Sequence, residues 1–359
     1  MPQVLYSSVK YSGYDPAGTL PGKFGRLLAA AGFAERVKGR SVAVKMHVGR
    51  GVGYTTISPL FVKMVTDRVK EAGGRPFITD QTVEDAKTRG YSESLFGCPV
   101  LDCCGLLGKY YYEKRVDYKG FTHVDVAGYI HDAEVMVNLS HVKGHGACGY
   151  GGACKNIAMG CVTDRTRREI HGLEGGLVWD KNKCTRCNAC ITGCNHNANK
   201  FTESGEYDVF YHNCTLCQHC VKACPAQAIT LDSDCYEDFQ TGMALCTKEV
   251  LGTFAPGDVY HINFLTNITF LCDCWGISTP ALVPDIGIMA SHDIVALESA
   301  CLGAIKEENL LKDGLPQGHV MQPGTHLLEK IHAKNPYIQI GKLQGMGLGS
   351  DDYTLCEIE

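Results

Sequence analysis

A chain of 359 residues, 45% hydrophobic and 20% charged, is long enough to bury one large core or two moderate ones, which excludes a disordered chain. Its 34 basic and 39 acidic residues give a formal charge of −5 with both signs scattered, so no basic face points to nucleic acid. The 20 cysteines would suit a disulfide framework only in a short exported chain. Here the start, MPQVLYSSVKYSGYDPAG, lacks a charged region followed by an apolar one, and no run of eighteen apolar residues occurs. The expectation is a cytoplasmic metal-binding protein with no membrane span.

The first strong element is RSVAVKMHV, a strand with Val42, Val44 and Met46 on one face and Lys45 and His47 on the other. SPLFVKMVTDRVKEAGG follows as a helix with Ser58 as N-cap, Pro59 at the first position and Gly73 as its stop, and RPFITD is the next strand. That is a βαβ unit. Between its first strand and helix, GRGVGYTT offers backbone N–H groups suited to an anion, or is an ordinary βα turn; neither a Walker loop nor a G-x-G-x-x-G fingerprint occurs there.

AEVMVNLSHV reads as a buried strand, followed by a glycine-rich loop and the helical ACKNIAMGCVTDRTRREIH. His141, Lys143, His145, Cys148, Cys154, Lys155 and Cys161 fall in this short stretch, and Gly144, Gly151 and Gly152 would let the backbone approach a ligand closely. Two lysines and two histidines are hard to square with packing alone. Cys154 and Cys161, seven apart, would share a helix face either as ligands or as small buried apolar residues.

Cys184, Cys187, Cys190 and Cys194 then follow C-x2-C-x2-C-x3-C, and Cys214, Cys217, Cys220 and Cys224 repeat the pattern, with Pro225 closing the second run. Three cysteines two residues apart wrap a cubane while the fourth points away; zinc, which favours two pairs, fits less well. Residues 178–232 resemble bacterial two-cluster 4Fe-4S ferredoxins. The resemblance implies crossed ligation, with Cys184, Cys187, Cys190 and Cys224 on one cluster and Cys214, Cys217, Cys220 and Cys194 on the other. Asn195 stands where the second run has its proline; either the turn simply tolerates asparagine there, or Asn195 or His196 alters hydrogen bonding near one cluster.

Beyond the runs come a helix around EDFQTGMALCTKEVL, a strand in DVYHINFL, an apolar stretch PDIGIMA and the helix DIVALESACLGAIKE. In FLCDCWG, Cys272 and Cys274 follow the strand and point the same way, as two thiols that grip a soft metal or accept an electron pair. Cys98, Cys103, Cys104, Cys235, Cys246, Cys301 and Cys356 show no ligation pattern. The expected architecture is α/β, a parallel or mixed sheet flanked by helices, formed by residues 1–177 and 233–359 around a ferredoxin-like 4Fe-4S insert at 178–232.

KMHVG, HVKGHGACGYGGACKNIAMGC, CDCW and VPDIGIMASHDIVALESA together resemble the domain of unknown function 362 family, in its subset with an inserted ferredoxin module. That family's activity is not generally established, and Arg50 departs from the acidic turn associated with it. A shorter likeness links GYGGACKNI to the G-x-S-G-G-x-K stretch of lactate racemase-like proteins, where the lysine carries a nickel-pincer cofactor; Lys155 is the matching position and Gly151 replaces the serine.

The function expected is an iron–sulfur redox protein passing single electrons through two 4Fe-4S clusters to or from a site in the α/β part, an oxidoreductase of anaerobic metabolism. Lys45, His47, His145 and Lys155 are its candidate catalytic residues, Cys272 and Cys274 candidate ligands of an additional metal centre, and an anionic small molecule the candidate substrate. An electron donor or acceptor protein would be its partner. The alternatives are a non-enzymatic carrier that docks partner oxidoreductases, and a non-redox isomerase with structural clusters.

Overall fold

The structure, a computed structural model, describes residues 1–359 except 12, 175, 195, 196, 211, 212, 215–218, 233 and 234, and only the backbone of residue 235. Cys217, Asn195 and His196 therefore lie outside the described residues. The described strands are β1 (Gln3–Ser8), β2 (Ser41–Met46), β3 (Arg75–Asp80), β4 (Val100–Asp102), β5 (Tyr111–Tyr118), β6 (Phe121–Ala127), β7 (Val135–His141), β8 (Lys143–His145), β9 (Gly149–Gly151), β10 (Leu177–Trp179), β11 (Asn199–Phe201), β12 (Tyr207–Val209), β13 (Ile229–Leu231), β14 (Val259–Leu265), β15 (Gly287–Ser291) and β16 (Thr354–Glu357).

Eight of them form one mixed sheet in the order β16-β1-β15-β14-β7-β2-β3-β4. From β14 to β4 every neighbouring pair is parallel, and β1 pairs parallel with β16. β15 alone runs against its neighbours. The reason lies in its approach: residues 266–286 hold only the short helical turn Asp273–Trp275, too little for the crossover helix a parallel return needs.

The β2–helix–β3 unit forms as its sequence dictates. Ser58 Oγ accepts from the Leu60 N–H, Pro59 opens the Pro59–Glu71 helix, and Gly73 takes a positive φ just past its end. ACKNIAMGCVTDRTRREIH, read as one helix, is two, Ala153–Gly160 and Asp164–Gly172. Thr163 caps the second by accepting from the Thr166 N–H, and that capping geometry interrupts the helix between them. Among the described residues no helix is long and apolar enough to cross a membrane.

Strand periodicity divides the core in two. Val42, Val44, Met46, Val135, Val137, Leu139, Ile262 and Phe264 meet the helices Leu20–Ala30 and Pro59–Glu71 on one face. On the other, Ala43, Met136 and Met289 meet the Ala153–Gly160, Cys235–Leu251 and Ile294–Ala304 helices. That second face also carries a buried polar row, because Thr79, Lys45, Asn138 and His261 are register partners across four adjacent strands. Burial pushes His261 down to about 3, so its ring is neutral, and Asn138 Nδ2 lies 3.1 Å from its Nδ1.

Candidate functional site

Chain order reverses at β2: β3 and β4 follow on one side, whereas β7 and then β14 lie on the other. Open parallel sheets bind ligands at the carboxyl ends of strands beside such a reversal. A cleft lies there, enclosing ≈ 700 Å³ with its open mouth included. His47 follows β2, Asp80 ends β3 and His141 ends β7, and all three line it. Its far wall is the start of the Ala153–Gly160 helix, which Asn156 pins to β7 by donating to Asn138 Oδ1 at 2.7 Å and the Leu139 carbonyl at 2.9 Å.

Lys45, fully buried, donates to Asn156 Oδ1 at 2.6 Å and pairs with Asp80 Oδ1 at 3.1 Å, while His47 Nδ1 lies 2.7 Å from Asp80 Oδ2. Burial alone would raise the Asp80 carboxyl, but the charges of Lys45 and His47 hold it well below the usual carboxylate range. A Cβ on Gly160 would come within 2.6 Å of Asp80 Oδ1, so glycine is what lets the helix end seat on this pair.

Asp273 repeats the arrangement across the cleft. Its Oδ2 is 2.8 Å from His141 Nδ1 and accepts from Lys143 Nζ at 2.8 Å. His141 Nε2 lies 2.9 Å from the Thr266 carbonyl and 3.0 Å from that of Asn267, tying β7 to the end of β14. Burial opposes the charge on Asp273, and His141 and Lys143 override it, keeping the carboxyl well below its ordinary value.

Beside Asp273 lie the paired thiols. Cys272 and Cys274 flank it in a one-turn 3₁₀ segment, and Lys155 Nζ stands 3.1 Å from Cys272 Sγ. A hydrogen bond from Cys274, with Lys155, Lys143 and His145 outweighing burial, holds Cys272 well below the usual thiol value. The hydrogen bond to Cys272, with desolvation, pushes Cys274 well above that value. The two thiols titrate as a pair, Cys272 being the more acidic partner. Burial disfavours the Lys155 ammonium, yet the sulfurs of Cys272 and Cys274 raise its pKa well above the ordinary lysine value. The lining carries four cations, Arg50, Lys143, Lys155 and Arg167, and one carboxylate, Asp80; Lys143 and Lys155 already pair with Asp273 and Cys272 at its edge. An anion is what such a cleft attracts.

The cysteine-rich segment packs around β10 paired with β13 and β11 paired with β12. Cys184, Cys187, Cys190 and Cys224 line one cavity there, beneath Trp179, Phe201 and Ile229. The two fourth cysteines have matching surroundings: the Ala198 N–H donates to Cys194 Sγ and the Ala228 N–H to Cys224 Sγ, each at 3.3 Å, and Asn197 and Gln227 take the same positive φ. Four thiols around one small space, with backbone donors aimed at sulfur, fit an iron–sulfur cubane. Cys214 and Cys220 are buried nearby, and Cys217 lies outside the described residues.

The profile of the family described as "Domain of unknown function (DUF362)" matches residues 42–303, well over half of the chain. The chain belongs to the DUF362 family. Part of this DUF362 chain is also similar to the ferredoxin-type protein NapF of Escherichia coli K12, 33% identical over 72 residues, or 18% of the chain and 44% of NapF. It is similar as well to the pyruvate synthase subunit PorD of Methanocaldococcus jannaschii, 34% identical over 53 residues, 15% of the chain and 62% of PorD. The chain thus spans less than two thirds of either relative. The lactate racemase apoprotein from Thermoanaerobacterium thermosaccharolyticum aligns with 73% of the chain and 56% of its own length, at a TM-score of 0.33 and 11% identity, a likeness too slight to inform function.

In this DUF362 protein the residues singled out from sequence fall into three groups. His47, Lys143, Gly151, Gly152, Lys155 and Cys274 line the cleft, with Lys45, His145 and Cys272 directly behind. Gly144 does not line it: its missing Cβ makes room for the His332 ring and the Phe270 carbonyl. Cys148, Cys154 and Cys161 are buried, and burial pushes Cys154 and Cys161 up to about 12. Cys272 and Cys274 meet through a helical turn rather than strand alternation. Sequence reading passed over Asp80, Asn156, Asp273 and Arg167. Asp80 closes a strand and Asn156 follows Lys155, positions where a polar residue in an apolar run is the available signal.

Proposed function

We propose that residues 178–232 hold two 4Fe-4S clusters and that this segment, inserted between residues 1–177 and 233–359, exchanges single electrons with an anionic substrate bound in the cleft. The observation that carries this reading is a contact between the two parts. The Phe210 carbonyl accepts from the Cys214 N–H at 3.2 Å, and the Phe210 ring meets the Trp275 ring edge-on at 5.3 Å, one residue after Cys274. On a second route the Lys334 ammonium bonds the carbonyls of Cys214 and His332, and the His332 ring lies 4.8 Å from that of Phe270. A cluster ligand is thereby joined to the loop that carries the cleft's thiols.

The clusters supply one-electron transfer when bound. The chain's own residues do the rest. Lys143, Lys155, Arg50 and Arg167 would hold and orient the substrate's negative charge. His47, fixed on Asp80, is placed to move protons at the cleft. Lys45 keeps Asp80 ionised and so keeps His47 in position, and Gly151 admits the substrate close to the backbone. A cleft lined by charged side chains at the strand ends supports an oxidoreductase over a carrier that only docks partner proteins, for which a shallow surface would serve. A reducing, anaerobic cytoplasm with a separate electron-donor protein is the setting these groups suit.

The test begins with anaerobic purification. About eight irons and about eight acid-labile sulfides per chain are expected. After photoreduction, small carboxylates and phosphates are added and cluster reoxidation is followed optically; repeated turnover with at least one is expected. Phe210→Ala should slow that reoxidation several-fold at unchanged iron content. Zinc in place of iron, or reoxidation indifferent to every anion and to Phe210, would overturn the proposal.

A further inference from the structure

We propose that His145, Cys272 and Cys274 form a mononuclear site for a divalent ion of the zinc class, with a fourth position open to the cleft. One ligand atom from each residue lies within 4.8 Å of the other two. Two sulfurs bound to tetrahedral zinc sit about 3.8 Å apart, given bonds of about 2.3 Å. Small side-chain rotations therefore close the triangle. The three come from separate parts of the fold, β8 and the Asp273–Trp275 turn, and are brought together where Lys143 and Asp273 join β8 to that turn.

The donor set decides the class of ion. Two thiolates and one imidazole suit zinc and its borderline neighbours, and do not suit magnesium or calcium, which take oxygen. Three protein ligands with a vacant fourth position is the pattern of a catalytic zinc site, whereas structural zinc is closed by four. Cys274 lines the cleft, so the fourth position opens on the same space as Lys143 and Lys155.

The surroundings are those of a supported metal site. The Ala147 N–H donates to His145 Nδ1 at 3.2 Å and Cys148 Sγ lies 3.4 Å from the same nitrogen; an ion bound through Nε2 would put the ring proton on Nδ1, giving up the Ala147 donor in favour of Cys148 Sγ. The Cys148 thiol lies 3.1 Å from the Tyr150 carbonyl as its donor, which leaves its sulfur able to accept from Nδ1–H once the ring is ligated. Lys155 donates to Cys272 Sγ, a bond that persists to a metal thiolate and stabilises it. Two thiolates and a neutral imidazole cancel the charge of a divalent ion, and the adjacent Lys143 and Lys155 then favour an anionic oxygen or sulfur donor as fourth ligand.

This inference shares the cleft with the proposed function but does not depend on the clusters. The experiment uses the full chain with its iron intact, thiols reduced, loaded anaerobically with Zn2+ and desalted. One zinc per chain is expected beyond the iron matched by sulfide, and X-ray absorption at the zinc edge should give two sulfur neighbours near 2.3 Å and one nitrogen at about 2.0–2.1 Å. Cys274→Ser should lower zinc affinity at least about tenfold, and Cys148→Ala less, as expected for a partner beyond the ligands; iron and sulfide should not change in either. Cys272→Ser/Cys274→Ser serves as a second variant, its folding checked by circular dichroism. Zinc retained with an oxygen and nitrogen shell, retention indifferent to Cys274, or a Cys272–Cys274 disulfide in native protein would each overturn the site. Loss of iron and sulfide from wild type with zinc binding preserved would overturn the cluster proposal alone.

Discussion

Lys45, buried in the middle of a parallel sheet, is tolerable because four residues meet it. Asp80 neutralises it, Asn156 accepts from it, and Thr79 and Asn138 flank it as register partners. Removing one member of a buried ion pair strands the other charge and costs about 3–5 kcal/mol, whereas replacing both with neutral groups of similar volume is often close to neutral. Asp80→Asn is therefore expected to lower stability by about that amount, and Lys45→Met/Asp80→Asn to recover most of it. Anaerobic urea unfolding of the three proteins measures this; a single variant as stable as wild type would show that Lys45 does not depend on Asp80.

At the scale of elements, the cleft wall is set by Glu298, which lies on the Ile294–Ala304 helix and reaches across to the start of the Ala153–Gly160 helix. It accepts from the Cys154 N–H at 2.8 Å, from Asn263 Nδ2 at 3.0 Å and from the Tyr150 hydroxyl. Gly152 carries no side chain where a Cβ would strike this carboxyl and the Tyr150 ring. Burial pushes Glu298 up to about 7 despite those donors. The folded state thus binds its proton more tightly than the unfolded state, so the contribution is fully present below about pH 4.5 and is lost as pH rises through about 7. The loss is on the order of 3 kcal/mol. Urea midpoints at pH 5 and pH 8 should show a fall in wild type that Glu298→Gln flattens; equal slopes in both proteins would contradict the assignment.

Across the whole molecule, the two cysteine runs lie thirty positions apart and fold into one unit, with Cys224 of the second run lining the cavity of Cys184, Cys187 and Cys190. Cys224→Ser should then remove the iron held mainly by the first run, about half of the total, and leave the rest reducible. Iron and sulfide counts with electron paramagnetic resonance of the reduced protein check this. Retention of the first-run signal would mean that ligation does not cross.

The βαβ unit, the buried strand β7, the helices around Cys235–Leu251 and Ile294–Ala304 and both cysteine runs were legible because each rests on local periodicity, capping or spacing. Of the two crossed ligand sets implied by resemblance, the residues of one, Cys184, Cys187, Cys190 and Cys224, line a single cavity, and the other includes Cys217, outside the described residues. Sequence order alone said that Lys45, His47, His145, Lys155, Cys272 and Cys274 were chemically unusual for their positions. Only the tertiary structure decided who meets whom. Asp80 joins Lys45 and His47 through the parallel pairing of β2 with β3, and Asp273 joins His141 and Lys143 through a turn more than a hundred residues away. The antiparallel return of β15 and the break at Thr163 were hidden for the same reason. Strand direction and helix ends depend on what the connecting loop must reach, and the partners of a buried charge are chosen by the register of strands far apart in the chain.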